Sequence, residues 1–376
     1  LGSGVIVSED GIVVSNYHVV GMATDIRVVL TDRREFEAEI LLADQDSDLA
    51  VLKITADTPL PHLNFRDSDD VEVGELALAI GNPFGIGQTV TSGIVSGLAR
   101  SGTATGNARG YYLQTDAAIN PGNSGGALID VNGRLIGINT SILTRSGGSN
   151  GVGFAIPANL VARYVEQARA GNESFTQAWA GIFGQAVDYS LAEGFGLSVP
   201  EGVVISSMHP ASPFAEAGLA LGDIVLSVDG QPVNSPPEML FRMSVRPVGD
   251  KITVEYLSDG EIREAEVALL EAPDTPPRDA RVVQNGTLAG LAVTNINPAV
   301  QSELNLPTAM SEGVVVTDVS GPLARVGLRP GDVLLEINGE VIATTADVED
   351  VSDMRSRNWR IDGVRGGQRF SYRFRI

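Results

Sequence analysis

Asn120-Pro121-Gly122-Asn123-Ser124-Gly125-Gly126-Ala127-Leu128 sets one serine among three glycines, directly ahead of an apolar run. A serine hydroxyl is a weak nucleophile until a base takes its proton and nearby donors receive the charge it creates. The glycines permit a tight turn and leave no side chain in the way of a substrate. The amides of Gly122 and Ser124 are then expected to face one small space as an oxyanion hole. The bland alternative is a Gly-rich turn between two strands.

Gly122 to Gly126 also fits the G-x-S-x-G elbow of α/β-hydrolases, which needs a helix straight after the serine and the order serine, acid, histidine. Here Ala127 to Ile129 runs into Asp130-Val131-Asn132-Gly133 and then Arg134 to Ile138, an Asn-Gly hairpin signal. The base is therefore expected upstream, in the order His, Asp, Ser. Of the three histidines, His62 sits in a Pro-rich loop, and His209 lies in a later domain. His18 ends the strand-like run Ser15-Asn16-Tyr17-His18-Val19-Val20. Paired with Ser124 it is the natural base, since imidazole exchanges its proton near neutrality. A carboxylate should orient that ring. Asp44, Asp46 and Asp48 compete for this role; Asp48 abuts the apolar run Leu49 to Ile54 and is expected to be the most buried. Asp44 and Asp46 read as solvated turn residues.

A chain of 376 residues suggests two or three domains. With 43 glycines and 5% aromatics it reads as turn-rich β protein. Roughly a dozen short strands are expected before residue 157, followed by a helix over Pro157 to Ala170 that presents Leu160, Val161, Tyr164 and Val165 on one face. The net charge of −21 disfavours nucleic acid and anionic lipid as partners. The absence of cysteine excludes disulfides and Cys-based zinc sites. No P-loop motif implies energy coupling, and no metal or cofactor is called for. No apolar run reaches ~20 residues, so no transmembrane segment is expected. No signal peptide is present; the sequence opens inside the strand-like run Leu1 to Val7, and a leader and N-terminal arm are expected to have been removed.

Three stretches resemble the HtrA/Deg family of trypsin-like serine proteases. They are Ser15 to Val20, Asp46-Ser47-Asp48-Leu49-Ala50-Val51-Leu52-Lys53-Ile54, and Gln114-Thr115-Asp116-Ala117-Ala118-Ile119 running on through Gly126. Ala79-Ile80-Gly81-Asn82-Pro83-Phe84-Gly85 and Gly153-Phe154-Ala155-Ile156-Pro157 are similar to that family too. The resemblance implies a mainly β protein: a chymotrypsin-type double β-barrel followed by two small α+β PDZ domains. His18 would be general base, Asp48 orienting acid and Ser124 nucleophile, with Gly122, Asn123 and Ser124 forming the oxyanion loop. Ile119 and the segment Gly151, Val152, Gly153 and Phe154 would line the P1 pocket, favouring small or medium aliphatic residues. Thr140, Ser141 and Ile142 would pair with substrate backbone. Tyr17 departs from the asparagine more usual in the family.

The second half repeats itself. Trp179-Ala180-Gly181-Ile182 recurs as Leu288-Ala289-Gly290-Leu291, and Gly218 to Gly230 as Gly327 to Gly339, both 109 residues on. A unit of that size is a domain. The resemblance implies that Trp179, Ala180, Gly181 and Ile182, and Ala289, Gly290 and Leu291, hold peptide C-termini with apolar last residues. Boundaries are expected at 1–172, 173–272, 273–285 and 286–376, the third piece a Pro-rich linker. Arg355, Arg357, Arg360, Arg365 and Arg369 read as a solvated face. The function implied is an ATP-independent endopeptidase degrading unfolded or misfolded protein in the bacterial periplasm, as a homotrimer or a multiple of trimers, with chaperone-like holding as a secondary role.

Overall fold

The apolar run after Asp48 becomes the central strand of the first lobe. In the computed structural model, which describes residues 2–82, 87–101, 110–142, 150–304, 306, 310 and 312–375, five strands form this lobe. They are β1 (Val5–Ile6), β2 (Ile12–Ser15), β3 (Arg27–Val29), β4 (Glu35–Asp44) and β5 (Leu49–Ile54), in the order β1-β2-β5-β4-β3. Leu49, Ala50, Val51, Leu52 and Ile54 are all buried, so β5 is covered on both faces. The short helix α1 (Tyr17–Val20) follows β2.

The second lobe closes. Strands β6 (Leu76–Gly81), β7 (Thr89–Ser101), β8 (Tyr111–Thr115), β9 (Ala127–Ile129), β10 (Leu135–Ile142) and β11 (Gly153–Pro157) form a barrel in the order β10-β11-β8-β7-β6-β9. The Asn132-Gly133 turn joins β9 to β10 as an antiparallel pair, as its sequence demands. Helix α2 (Ala158–Arg169) then packs Val161, Tyr164 and Val165 into the core that both lobes share, with Leu160 partly buried against it. Tyr164 stacks on Phe175 with ring centroids 3.8 Å apart and donates its hydroxyl to Asp44 Oδ2 at 2.6 Å. Burial and the neighbouring Asp44 charge push this phenol well above its ordinary range. Asp44 is thus not the solvated turn residue expected from sequence. It is half-buried, and it also accepts from the backbone of Asp46 and Ser47.

The two repeats fold alike. The first contains β12 (Ile182–Ala186), α3 (Tyr189–Phe195), β13 (Val203–Met208), α4 (Pro213–Glu216), β14 (Ile224–Val228), β15 (Gln231–Pro232), α5 (Pro236–Ser244), β16 (Lys251–Ser258) and β17 (Glu261–Ala268). The second contains β18 (Arg281–Val282), β19 (Leu291–Asn295), α6 (Pro298–Glu303), β20 (Val314–Val319), β21 (Val333–Ile337), β22 (Glu340–Val341), α7 (Thr345–Ser352), β23 (Asn358–Arg365) and β24 (Gln368–Arg375). The Gly-Asp pairs make the same turn twice. Asp223 accepts from Ala220 N at 2.8 Å and Asp332 from Arg329 N at 2.9 Å. Gly222 and Gly331 donate to Ile205 O and Val316 O.

The stretch expected as a linker is partly structured. Residues 281–282 form a strand paired with β19, and the Pro276 and Pro277 carbonyls accept from Asn297 and Asn295. Nor is the arginine run wholly solvated: Arg365 makes two bonds to the buried Asp332 carboxylate, at 2.6 and 2.7 Å. No helix among the described residues is long and apolar enough to cross a membrane.

By compactness, residues 1–178 group with 184–269, and residues 179–183 with 270–376. Within the first unit, α5 of the first repeat packs on the barrel. Phe241 stacks on Tyr111 with centroids 4.0 Å apart, and the Arg242 guanidinium lies over both rings. Arg242 also pairs with Asp69. Burial raises the Tyr111 phenol to about 12. Phe241→Ala is expected to cost about 3 kcal/mol, read as a lowered urea midpoint; an unchanged midpoint would show that this stack does not contribute to stability.

Candidate active site

His18 and Asp48 meet through two chain reversals. The β2 strand ends at Ser15, and α1 swings the His18 ring back toward the turn before β5. That turn leaves Asp48 at φ 57°, a left-handed conformation that aspartate tolerates better than most residues. Asn16 Nδ2 and Tyr17 N–H both donate to Asp48 O, at 2.8 and 3.1 Å, and lock the turn against the helix. The Asp48 carboxylate accepts from His18 N at 3.0 Å and from His18 Nδ1 at 2.8 and 2.9 Å. A carboxylate only accepts, so Nδ1 carries a proton, and in the neutral ring Nε2 is the nitrogen available to accept one. His18 is half-exposed, while Asp48 retains 22% exposure.

Ser124 joins this pair through Thr140. The register of β10 against β11 shifts between Asn139 and Ile142, an irregularity that takes Thr140 out of the ladder. Its hydroxyl donates to Asp48 Oδ2 at 2.5 Å, and its carbonyl accepts the Ser124 hydroxyl at 2.9 Å. One hydrogen-bonded series thus runs His18–Asp48–Thr140–Ser124. The Ser124 proton is held by a backbone carbonyl and makes no bond to His18.

The loop before Ser124 is fixed almost everywhere except at two amides. Asn123 N donates to Asn120 O, Gly125 N to Asn139 O and Gly126 N to Asn123 O, each at 2.9 Å. Gly122 N and Ser124 N donate to no protein group among the described residues. Asn123 was expected to share the oxyanion role. Its amide is instead spent in the turn, and its side chain is 1% exposed and packed beneath Gly81. Gly125 sits at φ 83°, where a Cβ would lie 2.2 Å from Ser3 O, so only glycine fits there.

The expected pocket residues divide. Ile119 is buried, and a Cβ on Gly153 would come within 2.7 Å of its Cδ1, so glycine at 153 makes room for the Ile119 side chain itself. Gly151 is exposed and Val152 half-buried. Phe154 alternates to the other face of β11 and packs in the shared core beside Tyr112, so it lines no pocket. Ser141 and Ile142 continue β10, but their side chains lie outside the described residues, as do Pro83, Phe84 and Gly85. His62 is exposed, and His209 accepts from Ala211 N in a loop of the first repeat.

The two repeat loops differ in availability. Gly290 N donates to Val283 O at 2.9 Å and Leu291 N to Leu288 O at 3.1 Å, so the amides expected to hold a carboxylate, next to Ala289, are already used. In the first loop, Trp179 N pairs with Leu270 O, while Gly181 N enters no turn or loop bond among the described residues. No group of three or more His, Asp or Glu able to hold a metal ion occurs among the described residues. Sequence reasoning missed Ser3, Ser15, Asn82 and Asn139, which hold the nucleophile loop. The signal available was the polar, Gly-flanked Ser3 ahead of an apolar strand.

This fold and site define a trypsin-like peptidase with appended peptide-binding modules. Residues 2–138 match the trypsin-like peptidase domain, and residues 174–269 and 315–354 each match the PDZ domain. The chain is 39% identical to the periplasmic serine endoprotease DegP of Escherichia coli K12, over 94% of this chain and 72% of that protein. It is 38% identical to the periplasmic pH-dependent serine endoprotease DegQ of the same organism, over 98% and 79%. Among solved structures, the HtrA-type protease AlgW with a tripeptide shares 40% identity at a TM-score of 0.58, covering 74% of this chain and 91% of that one. The chain belongs to the HtrA/Deg family of serine proteases. It is a serine endopeptidase.

Proposed function

We propose that this protein cleaves unfolded or misfolded proteins in the bacterial periplasm, without ATP, using Ser124, His18 and Asp48. The single observation that carries the assignment is the hydrogen-bonded series from His18 through Asp48 and Thr140 to Ser124. Catalysis requires the Ser124 hydroxyl to leave the Thr140 carbonyl and give its proton to His18 Nε2. Oγ then attacks the scissile carbonyl carbon. The resulting oxyanion lies between Gly122 N–H and Ser124 N–H, which have no other partner among the described residues. His18 next protonates the leaving amine, and water repeats the sequence to release the acyl group. Asp48 keeps the ring in the required tautomer and stabilises the imidazolium. Thr140 steadies Asp48 through its hydroxyl, and β10 offers backbone to an extended substrate.

We assign small or medium aliphatic P1 side chains to a pocket bounded by the apolar Ile119, which packs against Gly153. We assign capture of apolar C-termini to Trp179, Ala180, Gly181 and Ile182 of the first PDZ domain. The second domain does not share it, because its loop amides are internally bonded. Boundaries at 172 and 272, with residues 281–282 counted in the second PDZ domain, and assembly as trimers complete the proposal. Periplasmic location rests on the relatives.

The test is casein hydrolysis, present in the wild type and lost in Ser124→Ala. His18→Ala is expected to lower kcat/KM on the same substrate by about 10³-fold or more, since the Ser124 proton then has no base. Wild-type kcat/KM in that variant would remove His18 as the base.

A further inference from the structure

We propose that Ser3 is a positioning residue for catalysis, holding the nucleophile loop so that the Gly122 and Ser124 amides stay directed at the oxyanion. The proposal rests on the catalytic reading above. Ser3 lies just ahead of β1, in the first lobe, while the loop belongs to the second. Every hydrogen-bonding group of Ser3 is engaged. Its N–H donates to Ser124 O at 2.9 Å. Its hydroxyl donates to Gly122 O at 2.7 Å and accepts from Asn82 N at 2.8 Å. Its carbonyl accepts from Ser15 Oγ at 2.7 Å.

The two loop carbonyls that Ser3 binds have no other protein donor among the described residues. They flank Asn123 on either side. The N–H ends of the same two peptide groups are held as well, by Asn123 N to Asn120 O and Gly125 N to Asn139 O, and the peptide between them by Gly126 N to Asn123 O, so Ser3 supplies the carbonyl-side half of each restraint. Gly122 stands at φ 104° with no Cβ, so its own side-chain sterics do little to hold the adjoining peptide. Without the Ser3 hydroxyl, the Gly122 carbonyl loses its donor and Asn82 N–H loses its acceptor. The Gly122–Asn123 peptide is then held only through Asn123 N–H and can tilt about that bond, shifting the Gly122 and Ser124 amides from the geometry on which transition-state stabilisation depends. The bond matters most when charge develops on the substrate oxygen, which places its effect on kcat rather than on ground-state binding.

The test compares Ser3→Ala, Ser3→Thr, Ser3→Cys and Ser124→Ala in the full chain, using a fluorogenic peptide and a peptide aldehyde. The aldehyde forms a hemiacetal with the nucleophile and so reports on the oxyanion site. Ser3→Ala is expected to lower kcat about 10- to 100-fold with KM within about twofold, and to weaken aldehyde inhibition by a similar factor. Ser3→Thr, which keeps the hydroxyl, recovers most of kcat. If the alanine variant fails to fold, Ser3→Cys keeps the volume and weakens the donor, and the same split is read there. Wild-type kcat and aldehyde affinity in folded Ser3→Ala or Ser3→Cys, with Ser124→Ala inactive, overturn this proposal alone. Full activity in Ser124→Ala overturns the catalytic reading beneath it.

Discussion

Ser124→Ala is expected to lower casein hydrolysis by a factor on the order of 10⁵ while leaving the protein folded. The methyl group fits where the hydroxyl stood, and the only bond removed among the described residues is the one to Thr140 O. That carbonyl lies beside an open site, where water can replace the lost donor at small cost. Stability should therefore change by less than about 1 kcal/mol. Activity within tenfold of the wild type would reject Ser124 as nucleophile. The same variant separates two roles. If it still suppresses aggregation of an unfolded client, binding is a function of its own; if protection vanishes with cleavage, the chaperone-like role is unsupported.

Asp48→Asn should reduce kcat by about 10⁴-fold with little loss of stability. Asparagine tolerates the left-handed backbone at this position, whereas alanine would add roughly 1 kcal/mol of strain. Its amide oxygen, in the place of Oδ1, still accepts from His18 N, while the Thr140 hydroxyl meets the NH₂ in the place of Oδ2 and must turn to accept from it. Its NH₂, however, faces His18 Nδ1 and favours a ring with the proton on Nε2. Such a ring cannot take the Ser124 proton. Nitrogen NMR of labelled histidine would register the tautomer directly. A variant that keeps both the wild-type tautomer and wild-type kcat would show that Asp48 does not orient the ring.

Much of this site was legible from residue order. Asp48 could be preferred over Asp44 and Asp46 because an apolar strand follows it at once, and that adjacency does bring it against His18. The Asn132-Gly133 turn correctly excluded a helix after Ser124. The repeated Gly-Asp turns announced two copies of one domain. What escaped notice were groups whose importance comes from distant partners. Ser3 carries only the weak local mark of its flanking glycines, since Gly122 and Ser124 lie some 120 residues away in the chain. Asp44 looked like a turn residue because its partner, Tyr164, sits on a helix far downstream. Phe154 looked like a pocket residue, but strand alternation turns it toward the core. Asn123 was misplaced for a similar reason: its neighbours supply the donors while its own amide closes the turn.

The ring stack between Tyr111 and Phe241 changes how a shortened protein should be interpreted. Cutting the chain after residue 172 removes Phe241 and Arg242 together, baring an aromatic face and leaving Asp69 without its cation. Slow proteolysis by such a fragment would then mix poorer substrate capture with a weakened scaffold. Single substitutions at Gly181 or Ile182 leave that stack in place, and so offer the cleaner dissection of what the first PDZ domain contributes.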